Sequence, residues 1–148
     1  MKTLLRQITN SVAGFDTLPI RIGAGVIFAA HGSQKLFGWF GGYGLEGTGG
    51  WMASIGLEPG VLMAALAGGA EFFGGVALIL GLLVRPAAVV LAVTMAVAIV
   101  TVHLANGLFM ANNGYEFGLS LLVVSVALAI RGAGSLSADQ IISARLSQ

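Results

Sequence analysis

From Gly60 to Val84 the chain reads GVLMAALAGGAEFFGGVALILGLLV, with one ionisable residue, Glu71, near its middle. A helix needs ~20 apolar residues to cross a bilayer, with ~17 a lower limit, and this run meets that length. What surrounds such a run depends on the rest of the chain. Hydrophobic residues make up 57% of it and charged residues only 9%, where a soluble domain carries about 25% charged. A soluble chain of 148 residues has a large surface for its volume. Six acids and seven Lys or Arg residues cannot cover it. Lipid can, so the composition predicts an integral membrane protein.

Three further apolar segments share this character. The four predicted spans are residues 18–37, 60–84, 86–104 and 115–131, forming one domain, an all-α four-helix membrane bundle over residues 1–148. Pro19 and Pro86 fall where a helix tolerates proline, in the first turn. The fourth span is short unless its flanks reach through the headgroups. Lys2, Arg6, Arg21, Arg85, Arg131 and Arg145 all fall on one side of such a bundle, and only Lys35 falls toward the other. The positive-inside rule then places both termini in the cytoplasm of a bacterial inner membrane. The net charge of +1 gives no footprint for nucleic acid. The absence of cysteine excludes disulfides and thiolate metal sites within the chain.

Short surface helices are expected at both ends. Leu4, Leu5, Ile8, Val12 and Phe15 fall near helical spacing, with a frayed tail as the alternative. In SLSADQIISARLSQ, Ser137 can cap a helix, Gln140 sits three residues later, and Leu136 can staple against Ile141. The outer connection, residues 38–59, is rich in glycine and holds Trp39, Phe40, Tyr43 and Trp51, which suit an interfacial aromatic belt. Thr48 could cap a short helix there through about Ile55. The alternative is a plain interfacial loop.

Ionisable residues converge on the outer half. His31 and Lys35 are four residues apart, hence on one helix face, with Gln34 adjacent. Glu71 lies ~16 Å down the second span. His103 ends the third span, and Tyr115 and Glu116 begin the fourth. A charge at depth costs ~3 kcal/mol or more and normally faces the interior and pairs. Ala67, Gly68, Gly74 and Gly75 flank Glu71 and allow close helix approach. Glu71 is therefore expected to point inward, protonated or paired with Lys35 or His31. His103 and Glu116 also fit as plain helix-end residues. Arg21 fits a side chain snorkelling toward the cytoplasm, and Arg85 a topology determinant.

A quinone would suit such a cluster. His31 and Lys35 would donate to its head group, and Glu71 would accept a proton. His103, Glu116 and Gln34 would complete the mouth, and Trp39, Phe40 and Trp51 the lid. Haem and metal are open alternatives. A bis-histidine haem is disfavoured because His31 and His103 differ in depth by roughly 9 Å. A metal would find suitable ligand types but no supporting spacing. No redox centre is encoded, so electrons require a bound cofactor or a protein partner. A homo-oligomer is a further option, and the rival reading is a non-enzymatic assembly or stress-response protein that binds a partner helix or lipid.

The segments HGSQKLFGWFGGYGLEGTGGWM, GGAEFFGGVALILGLLVRPAA, TVHLANGLF and NNGYEFGLSLL together resemble the DoxX family of small bacterial membrane proteins. The resemblance spans about Arg21 to Arg131. It implies a four-helix membrane protein and a link to oxidoreduction, since the family takes its name from a subunit of an archaeal thiosulfate:quinone oxidoreductase. Mycobacterial relatives are associated with a membrane complex handling oxidative stress and thiols, and distant relatives include receptor-assembly chaperones. The family pattern matches Arg21, His31, Lys35, Gly38, Glu71, Gly74, Gly75, Arg85, His103 and Glu116.

Overall fold

A computed structural model describes residues 14–146. The described residues form helices without strands: α1 (Thr17–Phe37), α2 (Gly44–Ser54), α3 (Gly60–Leu80), α4 (Val84–Ala98), α5 (Glu116–Arg131) and α6 (Ala138–Leu146). The expected N-terminal surface helix lies almost wholly outside the described residues. Helix α4 continues without a break through a π turn, Ile99–His103, and a 3-10 turn, Leu104–Asn106. Thr101 Oγ1 donates to the Val97 carbonyl at 2.8 Å just where the helix widens, a back-bond that competes with the main-chain ladder.

Two tight pairs build the bundle, α1 with α3 and α4 with α5, joined through α3 and α4. Glycine sets the first pair. A Cβ on Gly25 would stand 2.7 Å from the Gly75 carbonyl oxygen, and one on Gly32 would overlap the Phe72 amide nitrogen. Backbone thus meets backbone along α1 and α3, as small residues permit. Phe28, Leu78, Leu91, Met95, Leu121 and Leu128 fill the centre. Val89, Val93, Val97 and Val100 stand exposed along α4. Helix α3 and the stretch Val84–Asn106 are each long and apolar enough to cross a membrane. Helix α1 matches α3 at 21 residues but carries Arg21, His31 and Lys35, and α5 has 16 residues.

The end where α1 begins and α5 finishes is knitted by hydrogen bonds, and it corrects several expectations. Arg21 does not snorkel. It is 1% exposed, and its Nη1 donates to the Leu78 and Ile79 carbonyls at 3.0 and 2.9 Å, while Nη2 donates to Leu136 O. A guanidinium at the C-terminus of α3 meets the negative end of the helix dipole and satisfies carbonyls that lack helical partners. The second and third spans also shift. Helix α3 stops at Leu80 against left-handed Gly81 (φ 65°), and α4 starts at Val84 rather than Pro86. The earlier start has a cause. The Asp139 carboxylate accepts the Leu83 and Val84 amides at 2.7 and 3.0 Å, capping α4 from a distant part of the chain.

Ser137 caps α6 as expected, accepting the Gln140 amide at 3.2 Å, while Gln140 Oε1 accepts the Leu136 amide at 3.2 Å. The staple does not bury, since Leu136 and Ile141 are both exposed. Thr48 caps nothing either. It sits within α2, which begins at Gly44, and its hydroxyl points to the Lys35 carbonyl at 3.5 Å.

Burial pushes the Asp139 carboxyl up from its usual range, against the pull of the Val84 and Leu83 amides and of Arg21 and Arg85. The cost of holding a charge there outweighs the preference of the caps for it. Asp139→Asn keeps one acceptor oxygen and no charge, so it is expected to cost less stability than Asp139→Ala. The alanine variant should lose ~1–2 kcal/mol as an uncapped helix does, read as a fall in thermal midpoint in detergent.

Candidate functional site

Lys35 and Glu71 meet across the α1–α3 contact. Lys35 Nζ donates to Glu71 Oε2 at 2.5 Å. Glu71 is 3% exposed, and the Lys35 side chain is 26% exposed. The approach of the two helices dictates this geometry. A Cβ on Gly68 would stand 3.0 Å from Lys35 Cβ, and one on Gly74 would stand 3.0 Å from Leu91 Cγ. Gly68 therefore admits the lysine stem beside α3, while Gly74 seats the core leucine behind the carboxylate. A carboxylate this buried needs a partner, and the ammonium supplies both charge and donor.

His31 lies one turn before Lys35 and within electrostatic reach of both Lys35 and Glu71. Its ring is exposed and tilts against Phe117 of α5, with centroids 5.8 Å apart. The three residues therefore form one cluster with a buried side at Glu71 and an open side at His31. An aromatic chain borders it. Trp39 tilts against Phe37 with ring centroids 5.0 Å apart, and Phe37 meets Phe72 edge-on at 5.2 Å. Phe72 is the sequence neighbour of Glu71.

The remaining candidates are elsewhere or engaged elsewhere. Gln34 Nε2 donates to the Phe40 carbonyl at 3.2 Å and braces the turn after α1. His103 Nδ1 meets the Asn113 carbonyl at 2.9 Å, and Glu116 Oε1 accepts the Met110 amide at 2.6 Å. Both brace the connection between α4 and α5. Phe40 and Trp51 are exposed at the molecular surface, as is Trp39 at the far end of the aromatic chain. Among the described residues no three His, Asp or Glu groups converge as metal ligands. Two contacts escaped sequence reasoning. Phe117 against His31 has no signal beyond its place after Glu116. The Thr48 hydroxyl near the Lys35 carbonyl ties α2 to the site, and its position four residues into the helix hides it.

Comparison with known proteins places these features in context. A model of the DoxX family matches residues 17–104. A protein of Bacillus subtilis (strain 168) named "Putative oxidoreductase CatD" is 37% identical over 130 residues, 88% of this chain and 89% of that protein. An uncharacterised protein of Haemophilus influenzae is 34% identical over 123 residues, 81% of this chain and 85% of its own. No solved structure matches.

Proposed function

The chain belongs to the DoxX family of membrane proteins, and on that premise we propose that it is the membrane subunit of an oxidoreductase system. It binds a quinone, or a similar hydrophobic redox molecule, beside the Lys35–Glu71 pair. The bundle crosses a bacterial inner membrane four times with both termini cytoplasmic, and a protein partner exchanges the electrons. The observation that carries this reading is the cluster itself. It has a buried, paired carboxylate and an exposed imidazole beside it, bordered by Phe72 and Phe117. The oxidoreductase name of the Bacillus subtilis relative points the same way.

The residues fit the group's needs. A quinone carbonyl requires donors at the edge of an apolar slot, and His31 with Lys35 offers them. Such a group supplies two-electron chemistry coupled to protons. Lys35 and His31 would orient the head group, and Glu71 would hold a proton beside it, its pairing with Lys35 loosening when its carboxylate is neutralised. The exposed His31 face lets a lipid-soluble molecule enter sideways from the bilayer.

The test is direct. Protein purified in mild detergent is extracted for bound quinone, and its heat stability is measured with added quinone. Protection is expected in the native protein and in Ile141→Ala, an exposed position on the distant helix α6, and its loss in both His31→Ala and Glu71→Gln. A colourless, quinone-free preparation without protection would instead favour a non-enzymatic assembly or stress-response protein whose polar cluster binds a partner helix or lipid.

A further inference from the structure

A second feature lies at the opposite end of the bundle. Helices α1 and α5 pack far more loosely than α1 and α3. Between them is an open groove of about 350 Å³, lined by Ile20, Ala127, Leu128 and Ile130, with Asp16, Thr17 and Arg131 at its rim. That volume falls within the range of small-ligand sites, ~300–1,000 Å³. Ile20 and Ile130 are exposed beside it, so the groove opens to whatever surrounds the bundle.

The rim is chemically distinct from the groove. Arg131 Nη2 and Asp16 Oδ2 are 2.6 Å apart, and the two side chains are 47% and 53% exposed. An ion pair this exposed contributes only ~0–1 kcal/mol, so it opens at little cost. The third rim group is already engaged, since Thr17 Oγ1 donates to the Ala133 carbonyl at 2.9 Å. An apolar slot therefore ends in one guanidinium and one carboxylate, side by side and both available.

The geometry points to a site for a phospholipid with a phosphoethanolamine head. Its phosphate takes the forked donors of Arg131. Its primary ammonium, with three N–H donors, takes the place of Arg131 on Asp16. An acyl chain lies in the groove along Ile20, Ala127 and Leu128. Each charge of the protein pair is exchanged for an opposite charge on the ligand, so neither is left alone. A phosphocholine head has no N–H to give Asp16. A phosphoglycerol head has no cation, and its net negative charge faces the Asp16 carboxylate. This site is separate from the Lys35–Glu71 cluster and does not depend on the quinone reading.

The experiment uses the full chain, delipidated in detergent. Native mass spectrometry follows titration with phosphatidylethanolamine, phosphatidylcholine and phosphatidylglycerol of identical acyl chains, with inorganic phosphate as a further arm. The native protein is expected to bind phosphatidylethanolamine about tenfold more tightly than either of the others, the factor of one charge-assisted hydrogen bond. Asp16→Asn should abolish the preference over phosphatidylglycerol. Ala127→Trp, which fills the groove, should weaken all three lipids. Equal affinity for the three lipids in the native protein overturns the proposal without reference to any variant. Retention of the preference in Asp16→Asn also overturns it, as does binding of inorganic phosphate as strong as that of the lipid.

Discussion

Gly32→Ala is expected to abolish the folded bundle, although it adds a single methyl group. At this position a Cβ would overlap the Phe72 amide nitrogen and stand 2.7 Å from the Gly68 carbonyl oxygen. Neither obstacle is a side chain that can rotate away, so α1 and α3 must move apart. Overpacking that side chains can absorb costs ~1–3 kcal/mol, and displacing two helices should exceed the top of that range. Separation would also pull Lys35 from Glu71, because both sit on the same contact. An internal control is available. A Cβ on Gly23, also in α1, meets nothing within 4 Å. Gly23→Ala should therefore leave the protein as stable as before or raise stability by ~0.5–1 kcal/mol, the usual gain for a helix interior. Heating each variant in detergent and measuring the monodisperse fraction by size-exclusion chromatography compares them. Equal behaviour of the two variants would contradict the glycine-set contact.

The second large effect concerns the buried pair. Lys35→Met leaves the Glu71 carboxylate at 3% exposure without its ammonium. Breaking a buried pair by removing one member costs ~3–5 kcal/mol. Glu71→Gln should cost less. Lys35 is about a quarter exposed and has a long stem, so an unpaired ammonium can reach outward. The double variant Lys35→Met with Glu71→Leu should recover most of the loss, because two apolar groups leave no charge stranded. A thermodynamic cycle of the four proteins measures this coupling. Additive losses would show that the two residues act independently, contrary to their contact. Recovery of stability in the double variant without recovery of quinone protection would separate the pair's structural role from its proposed chemical one.

Much of the cluster was legible because bilayer depth is a one-dimensional quantity. A carboxylate flanked by Gly68, Gly74 and Gly75 near the middle of an apolar run has few choices, because the small residues mark the face on which another helix packs. An inward-facing Glu71 followed from that reasoning, whereas its partner was left open between Lys35, His31 and a proton, and the α1–α3 contact selects Lys35. The features that escaped depend on partners remote in sequence. Arg21 looked like a snorkelling residue because its partners are main-chain carbonyls of α3 and of Leu136, which carry no residue-type signal. The start of α4 moved to Val84 because Asp139 caps it. Thr48 was read as a cap from its residue type alone, whereas the turn at Gly42 and Tyr43 starts α2 earlier. The exposure of His31 depends on how α5 sits beside α1, which no local pattern encodes.

The capped junction near Asp139 also bears on how the molecule is made. Gly14 exchanges hydrogen bonds with Ser135, Thr17 bonds Ala133, Arg21 bonds Leu136, and Asp139 holds the α3–α4 turn. Every one of these contacts needs residues 133–139, which leave the ribosome after all the main helices. During synthesis, Arg21 therefore enters its apolar surroundings before one of its carbonyl partners exists, and α4 waits uncapped. The bundle closes like a ring whose clasp arrives last, so premature termination before residue 133 should yield helices that insert but do not lock together.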